Sequence, residues 1–331
     1  MFPKNRIIVL VFTLLLVFIV LLSNFEIQRL NNKILILLEE KSELLEKLEN
    51  YKKSIAEVYG LEAKAIAYIL PSKACNKIWR KKYGDRIYFY AYANLSDYSS
   101  MIAEDFEVIS EVYDTVIIMI PGEDTRLFYY NLGIIDKIAS SKGLRLLWVI
   151  LPRWKYGREE DYLVPGTNIN KLVLDLMKYL ANLDSTWKIA LWYGWTYRMN
   201  ASDVLMFYEN LPINLRNFYA VWLDQPYAEV AKKLSEEKPD FLVITELYSS
   251  DAISKYSGLL RYQMVVTGYE NAKSPENWLR NICDKLKIIN QTYAIGIWVF
   301  YDKGDGHGEK YSAYFPGEKL ANPWTCIAVE E

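Results

Sequence analysis

From Arg86 to Asp302 one pattern repeats, and it restricts the chain to very few folds. Apolar, β-branched or aromatic runs stand at IYFYAYA (87–93), TVIIMIP (115–121), LRLLWVILP (144–152), KIALWYGW (188–195), FYAVWLDQP (218–226), FLVITELY (241–248), YQMVVTGYE (262–270) and AIGIWVFYD (294–302). Each of the first seven is followed by a helical stretch. Start signals include Ser99 and Ser100 before MIAEDFEVISEVY, Asp124 before TRLFYYNLGIIDKIASSKG, Asn168 before INKLVLDLMKYLANL, Ser202 before DVLMFYENL, and Ser274 with Pro275 at the last. Near-continuous apolar strands alternating with helices describe a parallel sheet covered on both faces, and eight such units describe a (β/α)8 TIM barrel. An open doubly wound sheet would carry a glycine-rich phosphate turn after its first strand. The residues there are ANLSDYSS, and glycine makes up only 15 of 331 positions.

The amino terminus has a different character. Residues 7 to 22 read IIVLVFTLLLVFIVLL and, with Ser23, Asn24 and Phe25, approach the roughly 20 residues that span a bilayer. Lys4 and Arg6 precede the run and Glu26 follows it, which favours a cytoplasmic amino terminus and an extracellular remainder. A signal peptide has a similar basic and apolar profile, but no small-residue cleavage site follows here. Next comes a heptad: Ile27, Ile34, Lys41, Leu48 and Ile55 in the a series, Leu30, Leu37, Leu44, Tyr51 and Val58 in the d series. This spacing predicts a coiled coil, and isoleucine at a with leucine at d favours parallel strands. A trimer or a single amphipathic helix remain alternatives. The organisation expected is a cytoplasmic tip and anchor over 1–25, a coiled-coil stalk over 26–59, connecting helices over 60–85, and the barrel with an irregular tail over 86–331. The membrane partner would be met through 7–25 and a homo-oligomer formed through 27–58.

Barrel enzymes build their sites from residues at the carboxyl ends of the strands. Those positions supply Asn94 and Asp97, Glu123 and Asp124, Arg153 and Trp154, then Trp195, Tyr197 and Arg198. Strands five to eight contribute one acid each: Asp224, Glu246, Glu270 and Asp302. Rings lie beside them at Trp222, Tyr227, Tyr248, Tyr269, Trp298 and Tyr301. Carboxylates among aromatic faces suit a sugar site, where one acid protonates the leaving oxygen, another attacks or activates water, and rings stack on the pyranose. The same residues have plainer readings. Asp224 could cap the next helix, Glu246 could pair with Arg153 or Arg198, and Glu270 could be loop surface.

The strand-end acids in WLDQP, ITELY and TGYEN, together with the tryptophan of GIWVFYD, resemble the (β/α)8 glycoside hydrolase superfamily over roughly residues 86–302. In its largest retaining clan an Asn-Glu pair ends strand four and a Glu ends strand seven. Glu270 matches the second position, whereas strand four ends YGWTYR without an acid. The resemblance therefore implies Asp224 and Glu246 as the working pair, with Glu270 third. It implies carbohydrate contacts from Arg153, Trp154, Trp195, Tyr197, Tyr227, Tyr248, Tyr269, Trp298 and Asp302. A carboxyl separation of about 5–5.5 Å would mean retention and about 6.5–9.5 Å inversion. A non-catalytic glycan-binding or structural head, oligomerised by the coiled coil, is the alternative.

Composition narrows the chemistry. One histidine, His307, excludes two-histidine metal sites within a chain, and no GxSxG elbow accompanies it. No cofactor or metal is implied, since the acidic glycine loop around His307 lacks a calcium-loop spacing. With 39 basic against 41 acidic side chains, no field exists to hold a nucleic acid backbone. Three cysteines permit one bridge, expected between Cys75 and Cys326 because barrel termini approach each other. Sequons at Asn94, Asn200 and Asn290 agree with an external location, and abundant Ile, Tyr, Lys and Glu suggest a thermophile, of archaeal type.

Overall fold

The computed structural model describes residues 33, 61–69, 71, 88–151, 154–155, 158–159, 163–164, 168–193, 201–224, 227–238, 242–258, 262–268, 275–289, 292–300, 313–314 and 320–327. The chain divides into Met1–Val58 and Tyr59–Glu331. The expected anchor lies outside the described residues, as does the expected coiled coil apart from Lys33. Among the described residues no helix is long and apolar enough to cross a membrane.

Eight parallel strands close into a barrel: β1 Ala63–Ala67, β2 Thr115–Pro121, β3 Arg145–Leu151, β4 Thr186–Tyr193, β5 Tyr219–Asp224, β6 Leu242–Glu246, β7 Gln263–Thr267 and β8 Ala294–Ile297. Helices that follow them include α1 Phe89–Tyr92, α2 Ser99–Ser110, α3 Arg126–Ser141, α4 Lys171–Ala181, α5 Ala201–Asn210, α6 Ile213–Arg216, α7 Ala228–Glu237, α8 Ser250–Tyr256 and α9 Pro275–Leu286. Two of the caps differ from the expected residues by one or two positions. Thr125 Oγ1 accepts from Phe128 N at 3.2 Å, and Asn170 Oδ1 accepts from Leu172 N at 3.0 Å. Each satisfies an otherwise orphaned N–H at a helix start.

Six of the eight strands fall within the expected runs, β4 begins two residues ahead of its run, and the first strand lies elsewhere. The run 87–93 predicts a strand, but Phe89–Tyr92 is a helical turn, and β1 is the alanine-rich AKAIA at 63–67. The barrel therefore begins inside the segment read as connecting helices. Strand propensity misleads because it measures fit to a half-buried pleated surface, and the place for the first strand demands small side chains instead. Register puts Ala65 beside Gly296 of β8 and Ala67 beside Ile117 of β2. A Cβ on Gly296 would stand 2.7 Å from Met264 Cε, 2.9 Å from Val266 Cγ2 and 3.1 Å from Ile117 Cδ1. Neighbouring residues in register share a face, so Ala63, Ala65 and Ala67 line the interior on this crowded side.

The aromatic run packs outside the ring of strands. Phe89, Tyr90 and Ala91 are buried, and Tyr90 Oη donates to Tyr68 O at 3.2 Å. Asn131 of α3, with no exposed surface, holds the segment by its backbone. Its Nδ2 donates to Tyr90 O at 2.9 Å and Ala93 O at 2.7 Å, and its Oδ1 accepts from Leu95 N at 3.2 Å. A strand here would have to spend those groups on a neighbouring strand; one buried amide satisfies them instead. Asn94 and Asp97, read as strand-one rim residues, consequently lie exposed beyond the helical turn.

At the opposite end from the site, the tail folds back on the barrel. Trp324 Nε1 donates to Val112 O at 3.0 Å, and its ring meets Tyr113 edge-on at 5.5 Å. Cys326 bridges to Cys283 of α9, with the Cα atoms 5.2 Å apart. The expected partner, Cys75, is replaced because the tail runs beneath α9.

Candidate active site

Two strands bring the site together. In the β5–β6 pairing Leu242 stands beside Ala220, Ile244 beside Trp222 and Glu246 beside Asp224. Parallel neighbours lie about 4.8 Å apart, so the last residues of both strands place two carboxyl groups side by side at the carboxyl end of the barrel. The groups interact: a side-chain hydrogen bond links Glu246 with Asp224. A hydrogen bond between two carboxyl groups needs a proton on one of them, and the burial of Asp224 favours keeping it.

Indole groups hold each acid from the side. Trp192 of β4 donates its Nε1–H to Asp224 Oδ1 at 3.1 Å, and Trp222 of β5 donates to Glu246 Oε2 at 3.1 Å. The pattern steps across the barrel wall. Each tryptophan reaches the acid on the next strand, because Trp192 is in register with Trp222, and Trp222 with Ile244, each two residues short of the acid it meets. Trp222 is wholly buried, while Asp224 and Glu246 retain 3% and 6% exposure. Burial raises the pKa of Asp224 above the ordinary carboxylate range, and the hydrogen bonds from Glu246 and Trp192 offset only part of that rise.

Among the other residues expected at the site, Tyr227 and Tyr248 are half-buried, three and two residues beyond Asp224 and Glu246. Trp298 is buried and follows β8 directly, its backbone N–H donating to Thr267 O at 2.8 Å. Gly268 faces it at φ +116°, where a Cβ would stand 2.6 Å from Trp298 O. Only glycine suits that approach. Trp154 begins a two-residue pairing with Arg158–Glu159. Arg153, Trp195, Tyr197, Tyr269, Glu270 and Asp302 lie outside the described residues. Glu123, beyond β2, is buried and accepts from Tyr92 Oη at 3.2 Å. Among the described residues no cluster of three His, Cys, Asp or Glu side chains is placed to hold a metal.

The indole donors are what sequence reasoning missed. Trp222 could be found from its two-residue spacing to Asp224, which puts both on one face of β5. Trp192 becomes visible only with the β4–β5 register.

Such a site, two adjacent buried acids at the carboxyl end of a parallel eight-stranded barrel, belongs to the (β/α)8 class of architectures. No family profile and no curated protein matches the sequence. Solved structures do match the fold. An exo-β-1,4-mannosidase from Opitutaceae bacterium strain TAV5 aligns at 10% identity with a TM-score of 0.54, over 80% of this chain and 58% of its own. This chain thus spans less than two thirds of that enzyme's length. A variant of GH5_18 from Bifidobacterium longum subsp. longum, in complex with Manβ1-4GlcNAc, aligns at 8% identity and TM-score 0.53, over 80% of this chain and 76% of its own. GH5_18 from Streptomyces cattleya, in complex with GlcNAc, aligns at 8% identity and TM-score 0.52, over 81% and 79% respectively. At these identities the likeness shows the shared (β/α)8 barrel.

Proposed function

We propose that the chain is a glycoside hydrolase that acts on glycans outside the cell, held to the membrane by residues 7–25 and oligomerised through 27–58. The observation that carries this reading is the Asp224–Glu246 pair, two buried acids on neighbouring strands at the carboxyl end of the barrel, each held by an indole N–H group. Glycosidic cleavage needs an acid that still carries its proton near neutral pH and can give it to the leaving oxygen. We assign that role to Glu246, whose carboxylate Trp222 would steady once the proton has left. Tyr227, Tyr248 and Trp298 supply apolar faces for a sugar ring. The fold shared with a mannosidase and the GH5_18 enzymes supports carbohydrate as the substrate class. The Cys283–Cys326 bridge agrees with an oxidising, extracytoplasmic compartment.

The test is hydrolysis of a glycan panel by the full-length chain in mild detergent, compared with its Glu246→Gln variant. Removal of a general acid should lower kcat/KM by roughly 10²–10⁴-fold. Equal rates for both proteins, or binding of glycans without any cleavage, would overturn the reading.

A further inference from the structure

The sequon Asn94-Leu95-Ser96 takes a definite form in the segment that follows β1. From Ala91 to Ser96 burial alternates. Ala91, Ala93 and Leu95 have at most 1% of their surface exposed, while Tyr92, Asn94 and Ser96 between them are exposed. Ala93 and Asn94 have extended backbone, at ψ 146° and 99°, and along extended chain every second side chain turns to the same side. An aromatic ring, an acceptor amide and a hydroxyl therefore stand together facing solvent. Leu95 in the core and the three hydrogen bonds of Asn131 hold them in place from beneath.

Two fixed rings border this amide. Tyr92 is 49% exposed, stacks on Tyr88 with the centroids 5.7 Å apart and 14° between the planes, and donates to the buried carboxylate of Glu123 at 3.2 Å. Tyr130 of α3 is 57% exposed, and its Oη lies 3.2 Å from Ser96 Oγ. Held rings of this kind offer a face that the apolar side of a pyranose can cover. Asn94 Nδ2 carries two hydrogens; one donates to Asp97 Oδ1 at 3.3 Å, and the second is available for substitution. Asn-x-Ser is the acceptor pattern for N-glycosylation on the outer side of a membrane. Resting on the extracellular location proposed above, we propose that Asn94 carries an N-linked oligosaccharide whose first sugar lies on the ring of Tyr92.

The donor is a polyprenyl-phosphate-linked oligosaccharide, used by a membrane transferase. A bond forms between Asn94 Nδ2 and C1 of the first sugar as the bond from C1 to the phosphate oxygen breaks. The amide proton passes to a base of the transferase, the polyprenyl phosphate leaves with the electron pair, and nothing is oxidised or reduced. Asn94 follows β1, which faces β5 across the closed ring of eight strands. The oligosaccharide is thus attached on the far side of the barrel from Asp224 and Glu246.

The experiment is mass spectrometry of the full-length protein purified from the membranes of its native cells. Trypsin releases the sequon in the peptide 87–126, between Arg86 and the cleavage after Arg126. The expected result is this peptide heavier by the mass of an oligosaccharide. The added mass should disappear in Asn94→Gln and also in Ser96→Ala, which keeps the acceptor amide and removes only the hydroxyl that the transferase reads. Tyr92→Ala should lower the Tm of the glycosylated protein by about 2–4 °C more than it lowers that of Asn94→Gln, and equal losses would overturn the ring contact. A peptide 87–126 without added mass would overturn the inference. Protease added to intact cells then decides the reading beneath it: if the barrel is digested the extracellular location stands, and if protease cannot reach it that location falls as well.

Discussion

Trp222 donates its indole N–H to Glu246 Oε2 at 3.1 Å from the strand next door, and it does so with no exposed surface of its own. That donor favours the ionised form of Glu246. Trp222→Phe keeps a ring and deletes the donor, so the Glu246 pKa should rise. The alkaline limb of the kcat/KM profile should then move to higher pH. The same shift should be visible by NMR titration of ¹³C-labelled glutamate. The lost bond and the reduced ring volume together should cost about 2–4 kcal/mol of stability, read from denaturant unfolding.

Asp224 leads to a prediction about pH and stability. Its pKa is raised in the folded protein by burial, so folding favours the protonated form. The associated stability is fully present below the ordinary carboxylate pKa and is lost as pH rises through the raised value. Asp224→Asn cannot ionise, yet it can accept from Trp192 and donate to Glu246. The variant should gain Tm relative to the parent as pH rises from 4 to 8, although its activity falls. A Tm difference independent of pH would contradict the assigned shift.

Asn131 binds the backbone of the segment 90–95 through three hydrogen bonds in a fully buried setting. Asn131→Leu fills similar space and leaves two carbonyls and one N–H without that partner. At about 1–3 kcal/mol per unsatisfied buried group, the loss should exceed about 2 kcal/mol. Hydrogen exchange should show early opening of residues 89–95.

The Cys283–Cys326 bridge spans 43 residues, a loop whose closure is worth about 4 kcal/mol in the chain-entropy account. Paired Cys283→Ser and Cys326→Ser substitutions should lower stability by about that amount. Thiol titration of denatured, unreduced protein should find one thiol per chain, from Cys75, and three after reduction.

Most of the barrel was legible because its strands are buried on both faces and read as apolar runs between capped helices. TVIIMIP and LRLLWVIL correspond to β2 and β3 almost residue for residue. The first strand was illegible because its five residues AKAIA are chosen for smallness against Gly296 and Ile117, and alanine carries no strand signal. IYFYAYA carries a strong one, and Asn131, 38 to 41 residues away, overrides it. At the site, strand-end position supplied Asp224, Glu246, Glu270 and Asp302, and the absence of an acid at the end of strand four narrowed these to Asp224 and Glu246. Their direct contact depends on the register between β5 and β6, which periodicity within one strand does not encode. The pairing of cysteines was unreadable for a related reason, since it follows the route of an irregular tail.

The bridge has a bearing on how the ring can come apart. Every neighbouring pair of strands is consecutive along the chain except β8 and β1, where Ala294 meets Ala63 across the length of the domain. That seam is the natural place for the ring to unzip, because its closure carries the largest entropic cost. Cys283 precedes β8 and Cys326 follows it, so the covalent loop contains the closing strand. β8 cannot peel away with the tail as a loose end; it must leave as the middle of a tethered loop, against the Trp324 anchor below Val112. In reducing buffer, fraying should therefore start at β8, before the rest of the barrel loosens.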